Sequence, residues 1–477
     1  MSTDSTTGRE THLPAHPTAS RSERAAAGKA RRDAAPLSSH ADLDPADSRD
    51  PVGLLLTQAE SRLQDLVPLR HGRMLVSPFT YFRGAALPMA ADLAESPRSG
   101  LQVQLCGDAH LANFGAFGSP ERRLVFSIND FDETLPGPFE WDVKRLASSV
   151  VIAARDNGFT RKEQRRAALA SAESYRKAMR DFAEAGLLDG WYAHLDFDAY
   201  VREIRDELTA KRAKALDALL AKARTRDSVQ AARKLTEVVD GRRRLVSDPP
   251  LVVPVEELLP EVEAGALQRH LDGVVARYGR SLSDDRRHLL HQFRLVHVAR
   301  KVVGVGSVGT RAFVLLMEAD GGDELLMLQA KEAQASVLAP YLEESHYDNQ
   351  GQRVVAGQRL MQAVSDILLG WDRFEVGDST ERDAFVRQLR DWKLSLPIER
   401  MKPHGLAVYA RACGWTLARA HARSGDRIAI ASYLGGSDKF DQAIVEFAEA
   451  YADLNEHDHA LLAQAVEQGR TTAETVD

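Results

Sequence analysis

Two apolar runs near residue 100 have the pattern of buried strands, and each is followed directly by acidic residues. Leu101 to Leu105 leads into Gly107-Asp108, and Leu124 to Ile128 leads into Asn129-Asp130. Short apolar runs bounded by turn-forming residues are typical of buried strands. The pattern then changes: the apolar residues of Asp142 to Arg155 recur every three or four positions, which predicts a helix closed by Gly158.

The rest of the chain combines a long helical region with a shorter β-rich one. Thr160 to about Phe293 is mostly helical and charged, and we predict that strands return only at Val302. Ala312 to Met317 and Leu325 to Ala330 are β-prone, and Asp320-Gly321-Gly322-Asp323 between them is typical of a turn. The later segments with a helical pattern are Gln352 to Asp366, Glu381 to Leu394, Gly405 to Ala422 and Ser437 to Glu467.

Residues 1 to about 50 form a polar segment without the apolar core of a secretory signal. Ser, Asp, Arg, Pro and Ala side chains bury too little apolar surface to offset the entropy lost on ordering. We therefore predict a disordered leader, with the first folded stretch opening near Pro51.

The acidic residues after the first two strands have the spacing of a phosphoryl-transfer site. Asp108 is followed five positions later by Asn113, and the next strand delivers Asp130 and Asp132. In kinase-like enzymes such an Asp meets the acceptor hydroxyl, while the Asn and second Asp hold magnesium against the nucleotide phosphates. We interpret Asp108 and Asn113 as catalytic, and Asn113 and Asp130 as Mg²⁺ ligands supported by Asp132. The alternative is a set of turn and capping residues.

A glycine-rich segment supports this interpretation. Gly304, Gly306 and Gly309, with Ser307 among them, fit the G-x-G-x-x-G pattern, which is weak by itself. A dinucleotide-binding loop would run into a helix, whereas here two β-prone runs follow, and the second ends at Lys331. We therefore predict a hairpin whose backbone N–H groups and lysine bind the phosphates of ATP. A plain flexible turn is the alternative.

Other polar residues near these motifs have simpler interpretations. His110 is interpreted as a structural residue that fixes its loop by a ring hydrogen bond, with metal ligation as the alternative. Asp142 is expected to cap its helix or to brace the loop. Arg83, Lys144 and Arg145 could bind an anionic substrate, although an exposed or salt-bridged role is the preferred interpretation.

Bulk properties narrow the class of protein. With 477 residues, 27% charged residues and a net charge of -7, the chain has an ordinary globular composition and is acidic overall. An acidic net charge argues against a protein dedicated to coating nucleic acid. The basic stretch Lys211 to Arg244 is interpreted as a solvated helix face. No apolar run is long enough to cross a bilayer. Two cysteines, Cys106 and Cys413, fit a reducing cytoplasm.

The segment from Gly107 to Asn113 resembles the Gly-Asp-x-His-x-x-Asn signature of aminoglycoside phosphotransferases and choline kinases. Ile128 to Asp132 resembles their metal-binding strand end, and Pro138 to Asp142 resembles the segment with their later, loop-bracing Asp. Cys106 stands where these kinases often have His. The resemblance implies a glutamate partner for Lys331 on a helix, for which the sequence offers only Glu343 and Glu344.

The order of the motifs departs from that of kinases, because the glycine loop follows the catalytic loop instead of preceding it. A circular permutation would explain this, since joining nearby ends and cutting a surface connection preserves the packed contacts. Gly405 to Ala422, with His421 near its end, resembles the helix that precedes the catalytic loop in small-molecule kinases. It would then lie beside that loop in space.

From about residue 60 the chain also resembles a widespread bacterial family known mainly as a domain of unknown function, DUF2252. The segments that carry this resemblance are Ser77 to Phe79, Gly107 to Gly115, Asn129 to Asp132, Glu140 to Arg145, Arg300 to Thr310 and Gln329 to Ala333.

We therefore expect an α+β, protein-kinase-like two-lobe fold in circularly permuted order. Its predicted parts are a disordered leader (1–50), a helical lobe with the catalytic and metal loops (51–297), a small β-rich nucleotide-binding lobe (298–400) and helices that return to the helical lobe (401–477). The expected function is an ATP- and Mg²⁺-dependent phosphotransferase with a small-molecule acceptor. The alternatives are a nucleotide-binding pseudokinase and a phosphohydrolase with a metal cluster of Asp108, His110, Asp130 and Asp132.

Overall fold

The computed structural model describes residues 19–207, 210–224, 234–302, 304–319, 321–322, 324–375, 380–389, 392 and 394–475. The fold is α+β, which confirms the predicted class. The helices of the described residues are α1 (Arg21–Ala34), α2 (Pro51–Glu60), α3 (Val67–Met74), α4 (Pro78–Gly84), α5 (Ala86–Ala94), α6 (Phe139–Asp156), α7 (Arg161–Glu184), α8 (Leu187–Tyr192), α9 (Phe197–Glu203), α10 (Ala210–Arg224), α11 (Val255–Leu258), α12 (Ala264–Gly279), α13 (Asp284–Leu290), α14 (Gln350–Met361), α15 (Pro403–Ser424), α16 (Arg427–Leu434) and α17 (Lys439–Glu467). The strands are β1 (Gln102–Leu105), β2 (Phe114–Gly118), β3 (Leu124–Ile128), β4 (Leu135–Pro138), β5 (Leu195–Asp196), β6 (Thr236–Val239), β7 (Arg242–Leu245), β8 (Val252–Pro254), β9 (Phe293–Lys301), β10 (Ala312–Ala319), β11 (Leu325–Glu332), β12 (Gly370–Glu375) and β13 (Glu381–Gln388).

One antiparallel sheet holds six of these strands in the order β12-β13-β11-β10-β9-β8. The predicted glycine segment connects β9 to β10, and β10 pairs with β11 so that Ala312 lies opposite Lys331. One face of the sheet packs against α12 and α13 through a cluster that includes Tyr278, Leu290 and Leu328. Of the predicted turn after β10, Gly321 and Gly322 both have positive φ, and Asp320 and Asp323 lie outside the described residues.

Two predictions about this region are wrong. Strands return well before Val302, because β8 and β9 both belong to the sheet. The β-rich region therefore begins before residue 298, the predicted start of the small lobe. The predicted helix from Glu381 to Leu394 is wrong for its first part, Glu381–Gln388, which is strand β13. Ala384, Phe385 and Val386 are three consecutive buried residues in the middle of that strand, and such a short run carries no period that distinguishes a strand from a helix.

A body of helices, which we call the helical body (α1 to α9 and α15 to α17), packs around α6. Nearly every side chain of α6 between Phe139 and Ala154 is buried, because α7, α15 and α17 cover it from several sides. The strands β1 to β4 lie at one end of α6, and helix α14 connects this body to the sheet through buried Val354 and Val355. None of the helices in the described part of the chain is both long and apolar enough to cross a lipid bilayer.

The predicted disordered leader is wrong for residues from Arg21 onward. Helix α1 starts with a capping box between Ser20 and Glu23 and packs against α16. Gly28 allows this close approach, since a Cβ there would lie 2.1 Å from the Ala429 carbonyl oxygen. Arg24 also forms an ion pair with Asp426 at 2.7 Å. These tertiary contacts stabilise a segment whose composition alone predicts disorder; residues 1–18 lie outside the described part of the chain.

Candidate active site

A cleft of about 1070 Å³ lies between the sheet and the helical body. Its walls carry most of the residues that the sequence analysis selected, from segments about 200 positions apart. The predicted residues that line it are Asp108, Asn113, Asp130, Asp132, Gly304, Gly306, Ser307 and Lys331. Gly309 does not line the cleft but packs against Arg62, whose Cβ lies 3.0 Å from the position that a Gly309 Cβ would take.

The loop that carries Asp108 is held in place by hydrogen bonds to Asp142. The Asp142 carboxylate accepts hydrogen bonds from the backbone N–H groups of Cys106 (2.8 Å) and Gly107 (3.1 Å). His421 of α15 lies beside the same carboxylate, with Nε2 3.2 Å from Oδ2. The helix that resembles the kinase helix before the catalytic loop therefore does contact this loop's support in space, although it follows the loop by about 300 residues.

The side chain of Asp108 is fixed by Arg145. Arg145 Nε donates to Asp108 Oδ1 at 2.5 Å, and the guanidinium also donates to the Phe82 carbonyl oxygen and stacks on the Phe82 ring. Arg145 therefore has the salt-bridged role preferred for it. The other Asp108 oxygen lies 3.6 Å from His110 Nε2. Burial lowers the pKa of His110 to about 4, against the opposing effect of the Asp108 charge, so the ring is neutral near pH 7.

The predicted metal residues lie at the bottom of the cleft. Asn113 Nδ2 donates to the Asp108 carbonyl oxygen at 2.8 Å, which leaves the Asn113 side-chain oxygen as its potential metal ligand. Asp132 Oδ2 accepts from Lys331 at 2.6 Å, while Asp132 Oδ1 is buried without a hydrogen-bond partner among the described residues. Burial and the neighbouring Asp130 charge raise the pKa of Asp132, and Lys331 opposes this shift. A cation at this position would give Asp132 Oδ1 a partner and would reduce the repulsion between the Asp130 and Asp132 charges.

Lys331 is buried on strand β11, with 3% of its side chain exposed. Its ion-pair partners are Asp132 and, at 4.0 Å, Asp130. Glu343 and Glu344, the candidates for a helical partner, form no ion pair with it and lie in the loop between β11 and α14. The sequence could not reveal the actual partner, because the pairing depends on how the sheet meets the Asp130-to-Asp132 loop.

The segment between β9 and β10 has the features of a phosphate-binding loop. Gly304 and Gly309 have positive φ values of 65° and 88°, which favour glycine. A Cβ at Gly306 would lie 3.1 Å from the Arg83 carbonyl oxygen, so the loop runs close to α4. The backbone N–H groups of Val305, Gly306 and Ser307 donate no hydrogen bond to another described residue. Val303 lies outside the described residues.

The helical body holds this loop by its carbonyl groups. Arg73 donates to the Gly304 carbonyl oxygen (2.7 Å), Arg62 donates to that of Val308 (2.6 Å), and the Leu63 N–H donates to that of Gly309 (2.8 Å). The loop is thus fixed between sheet and helices, while the N–H groups of Val305, Gly306 and Ser307 donate to no other described residue.

Sequence reasoning missed two arginines that shape the cleft. Arg353 of α14 donates to the carbonyl oxygens of Asp132 and Thr134, at 2.8 and 2.6 Å, and so fixes the loop that carries Asp130 and Asp132. Arg387 of β13 lines the cleft and donates to the Asn129 carbonyl oxygen at 3.1 Å. Neither belongs to a local motif, and only a three-dimensional contact identifies them. Lys144, by contrast, points away from the cleft and packs over the Phe447 ring at 4.1 Å.

Comparison with known proteins gives a family but no described activity. A search of curated proteins found no match, and a search of solved structures found none either. The sequence profile of a family described as "Uncharacterized protein conserved in bacteria (DUF2252)" matches residues 62–465. This match spans well over half of the chain, and it confirms the resemblance to the DUF2252 family seen in the sequence. The chain belongs to the DUF2252 family of bacterial proteins.

Proposed function

We propose that this protein is an ATP- and Mg²⁺-dependent phosphotransferase that acts on a hydroxyl group of a small molecule. The observation that supports it most is the ion pair between Lys331 and Asp132, at 2.6 Å. This contact joins the glycine-loop sheet to the loop that follows Asp108 and Asn113. Two motifs with phosphoryl-transfer spacing, far apart in sequence, thus meet in one cleft, an unexpected outcome if either were a chance match.

The order of elements supports a kinase-like arrangement. The chain passes from β9 through the glycine loop to β10 and then to β11, so Lys331 lies on the third strand counted from β9, the position of the lysine in protein kinases when the strand before the glycine loop is the first. After α14 and two more strands comes α15, whose Ser424 hydroxyl accepts from the Gln104 N–H of β1 at 3.1 Å. Reading 293–424 and then 102–156 gives the kinase order, which is the circular permutation that we propose.

The residues of the cleft fit a magnesium-bound nucleotide. The N–H groups of Val305, Gly306 and Ser307, which donate to no other described residue, and the Lys331 ammonium are suited to the phosphates. Asn113, Asp130 and Asp132 offer the few oxygen ligands that Mg²⁺ usually takes from a protein when phosphates and water complete its shell. In this role the metal would replace Lys331 as the partner of the Asp130 and Asp132 charges, and the phosphates would become the partners of Lys331.

Asp108 is the residue that we propose for the acceptor. It lines the cleft with 18% of its side chain exposed, and Arg145 fixes its orientation. It would receive the hydroxyl proton as the acceptor oxygen bonds to the γ-phosphorus and the bond from that phosphorus to ADP breaks. A phosphohydrolase with Asp108 as a metal ligand has less support, because Asp108 is already bonded to Arg145. The two cysteines are free and buried, so we propose a cytoplasmic location.

The test is nucleotide binding and its dependence on the metal residues. Wild type should show a rise in melting temperature with ATP and Mg²⁺ that exceeds the rise with either alone, because a ligand of the folded state stabilises it by mass action. Asp130→Asn and Asn113→Ala should remove the magnesium-dependent part of this rise. Asp189→Asn, an exposed carboxylate on α8, is the matched control and should behave as wild type. Equal magnesium dependence in all four proteins would contradict the proposed metal site, and no response of wild type to any nucleotide would contradict the function.

A further inference from the structure

Arg83 is a cation of the cleft that the site described so far does not use. It lies near the end of α4, and its side chain lines the cleft together with Asp108 and His110. Its Nε is buried without a hydrogen-bond partner, and its guanidinium forms no ion pair within the described part of the chain. The charges that act most strongly on its pKa are those of Asp108, Glu399 and Arg73, and none of these groups forms a hydrogen bond or ion pair with it.

The other arginines around the cleft differ from Arg83 in this respect. Arg62 and Arg73 hold the glycine loop, Arg145 holds Asp108, and Arg353 holds the metal loop. A partly buried guanidinium without a partner loses hydration and gains no hydrogen bond in return, which is unfavourable. Burial accordingly lowers the pKa of Arg83, and the Asp108 charge opposes this only in part. A charge held in this way is typical of a ligand-binding residue.

The position of Arg83 indicates which of two negatively charged ligands it binds, the nucleotide or the acceptor. The metal residues and Lys331 face the proposed nucleotide phosphates from the side of the cleft formed by β11 and the loop after β3. Arg83 belongs to α4, and its carbonyl oxygen borders the glycine loop at Gly306. The Arg83 charge lowers the pKa of His110, and the Asp108 charge raises that of Arg83. It therefore lies beside the residue proposed to meet the acceptor hydroxyl. Its planar fork is suited to two oxygens of a phosphate or carboxylate.

We propose that the acceptor carries a negatively charged oxyanion group, phosphate or carboxylate, in addition to its hydroxyl, and that Arg83 binds this group. This inference rests on the proposed function and deepens it, since it limits the acceptors to anionic hydroxyl compounds and excludes neutral sugars and cationic aminoglycosides. Arg83 is then a specificity-determining residue that positions the hydroxyl next to Asp108.

The experiment measures anion binding to protein whose nucleotide site is filled. Wild type, Arg83→Gln and Lys234→Gln are saturated with magnesium and a non-hydrolysable ATP analogue, and inorganic phosphate or acetate is titrated by calorimetry. Lys234 is the matched control, because it is an exposed cation that lines the same cleft. We expect phosphate or acetate to bind to wild type and to Lys234→Gln, and at least tenfold more weakly to Arg83→Gln. The anion that binds more tightly to wild type identifies the oxyanion group of the acceptor as phosphate or carboxylate.

Two further readouts separate this role from others. Affinity for the ATP analogue should change less than twofold in Arg83→Gln, and its melting temperature without ligand should not fall, since no hydrogen bond or ion pair with the described residues is lost. A large loss of analogue affinity would assign Arg83 to the nucleotide and overturn the inference, as would equal anion binding by all three proteins. If wild type binds no nucleotide analogue, the phosphotransferase proposal itself fails, and the acceptor inference fails with it.

Discussion

Lys331 Nζ and Asp132 Oδ2 lie 2.6 Å apart, although 199 residues separate them in the sequence. The pair joins the six-stranded sheet to the strand-end loop of the helical body at the bottom of the cleft. Because Lys331 is almost completely buried, the carboxylate is the partner that makes its charge tolerable in the absence of other ligands.

Lys331→Met should therefore change both stability and nucleotide binding. The substitution leaves Asp132 without its cation, so we expect a lower melting temperature in the absence of nucleotide. It also removes the proposed phosphate contact, so the dissociation constant for ATP with Mg²⁺ should rise about tenfold or more, or about 1.4 kcal/mol. Lys177→Met, which removes an exposed lysine paired with Glu173, is the control. Unchanged ATP affinity in Lys331→Met would assign the lysine a structural role only.

Asp108→Asn should separate binding from chemistry. The amide keeps the shape of the side chain but removes the charge proposed to accept the hydroxyl proton, so ATP affinity should stay near that of wild type. Phosphoryl transfer, or slow background ATP hydrolysis, should fall about a hundredfold or more. Asp453→Asn breaks an exposed pair with Arg155 and controls for the loss of an Asp–Arg contact. If wild type binds ATP without turnover and Asp108→Asn changes nothing, the pseudokinase alternative replaces the enzyme.

The support of the catalytic loop can be tested at Asp142 and His421. Asp142→Ala leaves the buried N–H groups of Cys106 and Gly107 without an acceptor, and we expect a loss of about 3 kcal/mol in the free energy of unfolding. His421→Gln keeps both of those hydrogen bonds and fills much of the volume of the buried ring, so it should cost about 1 kcal/mol. In both variants turnover should fall more than the KM for ATP rises, because the loop carries Asp108. Equal losses of stability in the two variants would contradict the proposed difference.

Lys144 gives a prediction about pH. Burial lowers its pKa from 10.5 to about 8, an effect that Glu140 and Asp42 oppose only in part. Between about pH 8 and pH 10.5 the unfolded chain therefore binds more protons at this residue than the folded protein does, so its contribution to stability rises with pH. Lys144→Met should raise the free energy of unfolding at pH 7 by about 3 kcal/mol, with a smaller gain at pH 10. Denaturant unfolding of both proteins at several pH values measures this difference, and a gain independent of pH would contradict the assignment.

The sequence identified those residues of the cleft that belong to a motif within a single segment of the chain. Asp108, Asn113 and Asp130 follow short strands at fixed spacing, and the glycine pattern with Lys331 follows a hairpin, so each could be identified within its own segment. The folding of α1 could not be predicted, because it depends on the close packing of Gly28 against α16. The roles of Arg83, Arg353 and Arg387 depend on which segments meet across the cleft, and no local pattern contains that information.

The three hydrogen bonds from Arg62, Leu63 and Arg73 to the glycine loop have a consequence for ligand exchange. A loop already held in place loses little conformational freedom when a phosphate binds to it, which favours affinity by preorganisation. The same bonds prevent the loop from lifting as an independent flap. Opening must either break them or move the sheet together with α2 to α4. Substitutions at Arg62 or Arg73, which belong to the helical body, should thus alter the rate at which the product of the proposed reaction leaves.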